Sequence, residues 1–487
     1  MKTSGEKIVL SRKATLCLPN HVYIVTKKVK KSKKVYKKHG VLQKVVLYNR
    51  SSCENNVGIR KERKNSMDIA NIEKKVLEAI DCRAEDICAW GEKLFTTPEL
   101  GYKEFETSRV IREELEKLGI NCTSGHGVTG VKGILKGNGE FNVAVLGELD
   151  AVVCKAHPAA NGETGAVHAC GHHAQMASML GVAAGLADSG VMQELAGNVV
   201  FLATPAEEYI DLDYRRGLQQ EGKIQCFGGK QQLINEGVFE DIDAAMMVHA
   251  QPDTPQAAVY VRGSSLGFVE KQITFRGRAA HASEPYKGVN ALNAAALAIL
   301  GMHANRERFR EEDKIRVHPI ITKGGDVVNS VPDEVCMDSY VRGATMEAIK
   351  KASEDTDRAI QGAAQMVGAG VEIQTVPGYA PLKQNYLLGE IFREVAGLFV
   401  EQEQIYSGID MVGSTDIGDL SHILPCIQPS VGGFTGELHS KEFQVADPYT
   451  AYVLPAKMMA LTVVRLLTED GRVIREIKAG TKKEFRQ

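Results

Sequence analysis

Two nearly unbroken apolar runs, Asn142–Val153 (NVAVLGELDAVV) and Asn198–Ala203 (NVVFLA), constrain the fold of this chain more than any other feature. A strand with one wet face alternates apolar and polar residues, whereas a strand covered on both faces reads as a continuous apolar run. Both runs therefore predict central strands of a sheet buried on two sides. Between them, Ala174–Leu186 is rich in Ala, Met, Leu and Gly, which suits a helix packed closely on that sheet. Ala244–His249 predicts a further strand, Ile69–Trp90 an amphipathic helix, and Thr107–Leu118 a helix opened by a Thr cap. Strands alternating with helices in this way give an α/β sandwich.

The rhythm then changes. Lys271–Phe275 reads as a strand, Asn290–Phe309 as a helix, Ile315–Thr322 and Glu334–Val341 as strands, Met346–Met366 as a helix and Val371–Val376 as a last strand. The order β-α-β-β-α-β is ferredoxin-like. After Pro377 the first rhythm returns, so residues 256–376 are expected as an α+β domain inserted into one formed by 67–255 and 377–487. A chain of 487 residues exceeds what one core supports, which agrees with that division.

The net charge of -2 conceals an asymmetry, because residues 1–66 carry 18 Lys/Arg against 3 Asp/Glu. The run Lys27–Lys38 (KKVKKSKKVYKK) could bind nucleic acid or anionic lipid as an added function. The plainer expectation is a disordered or non-native extension, with Met67 as the true start. Nucleic acid is otherwise not expected as a partner. No apolar run reaches the ~18 residues of a membrane span, and the first 25 residues lack a secretory h-region and cleavage site. Ten scattered cysteines form no disulfide framework, so a reducing cytoplasm is expected.

Two motifs fail their context. Gly125–Gly130 matches GxGxxG, and Gly263–Gly267 matches GxSxG, but each leads into a predicted strand instead of the helix its function requires.

The chemistry concentrates elsewhere. His168–Ser178 (HACGHHAQMAS) puts Cys170, His172 and His173 within four residues, and thiolate and imidazole are the preferred ligands of zinc-like cations. Glu207 and Glu208 (TPAEE) stand at the end of a predicted buried strand, where ligands gather in an open α/β sheet. One carboxylate there can bind a metal while its neighbour takes a proton from water. His249 (MMVHA) ends another strand, and His439 (GELHS) lies in a glycine-bearing loop. Taken singly, each has a plainer reading: a core histidine, a small buried thiol, a solvated acidic face. His126, His157, His168, His303, His318 and His422 keep that plainer reading, with His168 expected nearest the site.

The order TPELGYKEFETS, GELDA, HACGH, PAEE, VHA, RAAHAS, VVNSVPDE and GELHS resembles the dinuclear metal amidohydrolases that include hippurate hydrolases, indole-acetyl amino-acid hydrolases and aminoacylase-like carboxypeptidases. The resemblance covers about residues 67–475. It implies a metal-dependent exopeptidase-like α/β sandwich with a ferredoxin-like lid and dimerisation domain. It implies two divalent ions (Zn, Mn, Co or Ni) held by Cys170, His172, Glu208, His249 and His439, with Glu207 as general base and Asp150 as a supporting carboxylate. His281 would hold the oxyanion, often across a homodimer, and Asn329 and Arg342 the substrate's polar end. The expected reaction is hydrolysis of the amide bond of N-acyl amino acids, amino-acid conjugates or short peptides. The chain departs from the family's Cys-Gly-His-Asp-x-His at His173 and Gln175, and Asp211–Phe227 reads as an insertion at the pocket rim. The alternative is a metal-binding homologue without hydrolytic activity, acting as a binding protein.

Overall fold

A computed structural model describes residues 58–481. The run Lys27–Lys38 lies outside them, while residues 58–66 are helical and open the helix Gly58–Cys82 (α1). The single helix expected over Ile69–Trp90 is two: Arg83, at φ -98° and ψ 4°, ends α1 and precedes Ala84–Phe95 (α2). The next helix, Phe105–Lys117 (α3), starts before the predicted Thr cap. Its first-turn amides from Glu106 and Thr107 are taken by the Glu99 carboxylate, so a residue outside the helix does the capping.

The principal sheet contains Asn121–His126 (β1), Gly130–Leu135 (β2), Phe141–Glu148 (β3), Gly197–Thr204 (β4) and Ala244–Met246 (β5). Its order is β1-β2-β4-β3-β5, followed by the short strand Cys426–Ile427. β4, β3, β5 and Cys426–Ile427 run parallel to one another, whereas β2 is antiparallel to both of its neighbours, β1 and β4. Successive residues of β3 and β4 serve two cores. Val143, Val145, Val199 and Phe201 join the cluster that includes the helices α1, α2, His172–Ser189 (α4) and Leu454–Leu467. Ala144, Leu146, Val200 and Leu202 join a second cluster with Leu233, Ile242 and Leu420. Burial on both faces is why these strands read as unbroken apolar runs.

The predicted strand Ala244–His249 divides. β5 ends at Met246, and His249–Ala250 pairs in parallel with Ser430–Val431 in a separate four-stranded sheet. Both excluded glycine motifs lead into strands, the first forming the turn between β1 and β2. The helical stretch Tyr449–Leu467, interrupted by Lys457 and Arg465, is long and apolar enough by composition to cross a membrane, and 94% of its apolar window is buried in the fold. That burial is what a core helix shows.

A four-stranded antiparallel sheet stands apart in the topology: Gly267–Arg276 (β6), Arg316–Lys323 (β7), Glu334–Gly343 (β8) and Gly370–Pro377 (β9), in the order β7-β8-β6-β9. Ile273, Phe275, Val335 and Met337 face a core shared with the helices Ala291–Ala304 and Met346–Met366. This is the ferredoxin-like arrangement beside an α/β sandwich.

Candidate metal centre

Loops at the ends of the parallel strands bring the donor side chains together. β3 runs into Asp150, β4 into Glu207 and Glu208, and Gly171, at φ 86°, turns the HACGH loop into the first turn of α4. The loop bearing His439 is tied to it, since the His439 amide donates to the Ala169 carbonyl at 2.7 Å. Gly433 makes that loop possible, because at its φ of 106° an added Cβ would lie 2.7 Å from the Ala451 nitrogen.

All five predicted ligands converge. Cys170 Sγ is 3.6 Å from His249 Nε2, His439 Nε2 is 3.2 Å from Glu208 Oε1, and His172 Nε2 is 3.9 Å from the same oxygen. Potential ligand atoms of Cys170, His172 and His249 lie within 4.8 Å of one another, as do those of Cys170, Glu208 and His439. Glu207 is beside them, with Oε2 4.0 Å from His172 Nε2. Asp150 lies behind: its carbonyl is 2.9 Å from His172 Nδ1, and its Oδ2 accepts from the Glu208 amide at 2.9 Å.

Buried polar atoms normally have partners. Here His172 Nε2 and Glu208 Oε1 are buried without hydrogen bonds, and both point into the cluster. A set of thiol, imidazole and carboxylate donors with orphaned lone pairs fits divalent cations of the zinc type. Burial, and then Glu208, pushes the Cys170 thiol well above its ordinary pKa. Burial, and then Glu148 and Glu208, pushes the Glu207 carboxyl well above the usual carboxylate range. Bound cations would oppose both shifts, since an ion is the largest local charge in such a site.

A buried charge network underlies the cluster and was not anticipated. Lys230 Nζ lies 2.6 Å from Glu148 Oε1 and 2.5 Å from Asp416 Oδ1, all three groups being fully buried. Glu148 Oε2 is in turn 3.1 Å from His172 Nε2. One signal for Glu148 was available: it is a carboxylate inside an otherwise apolar central strand. Lys230 and Asp416, which stand 186 residues apart, offered none.

The two departures from the family pattern find different places. Gln175 bonds to Glu148. His173 is buried with neither ring nitrogen bonded, packed edge-on to Phe95 at 5.0 Å and Tyr452 at 5.8 Å. Burial holds it well below the ordinary imidazole range, so it is a neutral aromatic filler and belongs to none of the ligand groups.

The residues expected to hold the oxyanion and the substrate's polar end are not among the groups that converge. His281 and Asn329 sit on exposed neighbouring loops, joined by the bridge of His281 to Ser330 and by the Ala282 amide on the Asn329 carbonyl. Arg342 donates to Ser414 Oγ at 2.9 Å and lies over the rings of Phe268 and Tyr340.

A convergent donor set at the carboxyl ends of parallel strands, with a further carboxylate, Glu207, beside it, fits a hydrolytic metal site. Residues 144–460 match peptidase family M20/M25/M40, and the chain belongs to that family; it is a metal-dependent amidohydrolase. It is similar to a mouse Xaa-Arg dipeptidase, at 26% identity over 87% of this chain and 94% of that protein. It is also similar to the Arabidopsis thaliana IAA-amino acid hydrolase ILR1-like 4, at 26% identity over 74% of this chain and 79% of that one. Its fold resembles that of a Bacillus subtilis dinuclear metal-binding peptidase of the M20 family, with a TM-score of 0.63 at 24% identity, covering 80% of this chain and 99% of the other.

Proposed function

We propose that this enzyme hydrolyses the amide bond of N-acyl amino acids, amino-acid conjugates or short peptides, using two divalent cations. The observation that carries this reading is the convergence of Cys170, His172, Glu208, His249 and His439, with Glu207 next to them in a further group with Glu148 and His172. These five side chains would hold the ions, Zn, Mn, Co or Ni. When bound, the cations polarise the scissile carbonyl and lower the pKa of water to about 7. Glu207 takes the proton from the attacking water and returns it to the leaving amine. Asp150 fixes the ring of His172 and the amide of Glu208.

His281 donates to the developing oxyanion, and Asn329 and Arg342 hold the polar end of the substrate. Since His281 is exposed on the inserted unit (residues 256–376), it reaches the cluster by closure of that unit or from a second subunit. A homodimer is supported by β7, an edge strand with Ile320 53% exposed and the nearby Val328 fully exposed. The substrate class is supported by the names of the relatives, which cleave dipeptides or amino-acid conjugates. A reducing cytoplasm is supported by the cysteines, all free among the described residues.

The test is a panel of N-acyl amino acids and dipeptides offered to protein stripped with a chelator and reloaded with Mn, Zn or Co. Metal-dependent release of free amino acid is expected. A protein that takes up two ions per chain and cleaves nothing would instead support the binding-protein reading.

A further inference from the structure

The segment Asp211–Phe227 packs against the turn that carries Glu207 and Glu208. Its helix Leu212–Gln220 (α5) carries Arg215, which is fully buried and has no carboxylate partner among the described residues. Its two terminal nitrogens are spent on main-chain carbonyls, while Nε is buried without a partner. Nη1 donates to Phe227 at 2.6 Å and to Ala206 at 3.5 Å, and Nη2 donates to Glu208. Burying a charge without a counter-ion is costly, so an arrangement that keeps one needs a reason.

The reason lies in the turn it grips. Ala206 has φ 50°, a left-handed conformation that an alanine adopts only when its surroundings impose it. Any relaxation there would swing Glu207 and Glu208 together. The turn is held on its other side by the Glu104 carboxylate, which accepts from the Ala206 amide at 2.8 Å. Gly229 donates to the Ala206 carbonyl at 3.1 Å, and Tyr379 Oη donates to the carbonyl of Glu207. Arg215 reaches the carbonyls on both sides of Glu207, at 206 and 208, which none of the other three does. The fit is close: an added Cβ on Gly101 would overlap both Arg215 Nη2 and the Ala206 Cα.

We infer that Arg215 is a positioning residue for the reaction: by clamping the strained turn at Ala206 it fixes where the carboxylates of Glu207 and Glu208 point. This rests on the proposed roles of those two glutamates. The insertion is therefore part of the machinery of the site.

The experiment compares wild type, Arg215→Met and Arg215→Lys as full chains. Arg215→Met should lower kcat about 10–100-fold with KM changed less than about twofold, and weaken uptake of the second cobalt(II) ion about 10–100-fold. The absorption bands of the cobalt-loaded protein should shift, since Glu208 would be displaced. Arg215→Lys, which can reach one carbonyl but not span the turn, should fall between the two. If Arg215→Met melts earlier but, while folded, keeps wild-type kcat, cobalt affinity and spectrum, Arg215 is only structural and the inference is wrong. Should Arg215→Met fail to fold, Arg215→Lys, which keeps the charge but cannot span the turn, carries the same readouts. A wild type that cleaves nothing would count against the proposed function, while the cobalt titration would still decide the role of Arg215.

Discussion

Gln175 donates from Nε2 to Oε2 of Glu148 at 2.7 Å, and the Glu148 amide donates back to Gln175 Oε1 at 3.2 Å. This reciprocal pair joins the first turn of α4 to the end of β3, directly beneath His172. Histidine at 175 could not make both bonds in the same geometry. Aspartate at 173 would bury a carboxylate among Phe95, His168 and Tyr452 with no cation beside it, leaving only the unpartnered His168 ring and Tyr452 hydroxyl as donors. Restoring the family's residues with His173→Asp and Gln175→His should therefore damage the protein, lowering stability by about 3 kcal/mol or more. Urea unfolding measures this; a double variant with an unchanged midpoint and faster turnover would show that the two departures are defects.

Glu207→Ala separates the roles of the adjacent glutamates. Turnover should fall about 10²–10⁴-fold, the range for a lost general base, while both cations remain bound. Metal content by atomic absorption, measured beside turnover, decides it. Loss of metal together with activity would mean that Glu207 is itself a ligand, as its closeness to Glu148 and His172 would allow.

Where a residue's environment is set by its own strand or loop, the sequence carried enough to read it. β3 and β4 declared themselves because burial on both faces leaves a local apolar signature, and the histidines and cysteine that converge came with short surrounding motifs. The strand at Ala244–His249 misled because its apolar run passes from one sheet into another at Met247–Val248, and both environments are equally dry. Lys230, Asp416 and Arg215 were not legible at all. Each looks like an ordinary charged residue until tertiary structure brings 148 beside 230 and 416, or folds α5 back under its own preceding turn. His173 was ambiguous for a related reason: ring packing against Phe95 and Tyr452 is set by segments distant in the chain.

The Lys230 network has a stability consequence of its own. Lys230→Met leaves the Glu148 and Asp416 carboxylates buried without their cation, which should cost about 3–5 kcal/mol. The cost belongs to the stranded charges rather than to lost packing, so adding Glu148→Gln and Asp416→Asn should recover part of it. Chemical denaturation of the single and triple variants tests the distinction. A triple variant less stable than Lys230→Met alone would assign the cost to packing.

Glu104 makes the fold sensitive to pH. Burial, and then the charge on Asp150, raises its carboxyl from 4.5 to about 7, although Thr129 Oγ1 and the Ala206 amide both donate to it. Its folded pKa thus lies above the unfolded one, so the native state holds this proton more tightly than the denatured chain. Below pH 4.5 both states are protonated and Glu104 carries no penalty. Between about 4.5 and 7 the denatured chain releases the proton while the native state keeps it, and stability falls as pH rises. Above 7 the loss is complete and amounts to at most about 3 kcal/mol. Glutamine in its place can still accept from Ala206 through Oε1 and can donate to Thr129 through Nε2, without titrating. Glu104→Gln should therefore match wild type in urea midpoint at pH 4 and exceed it at pH 8. An equal gap between the two proteins at both pH values would show that the Glu104 carboxyl is not the group responsible.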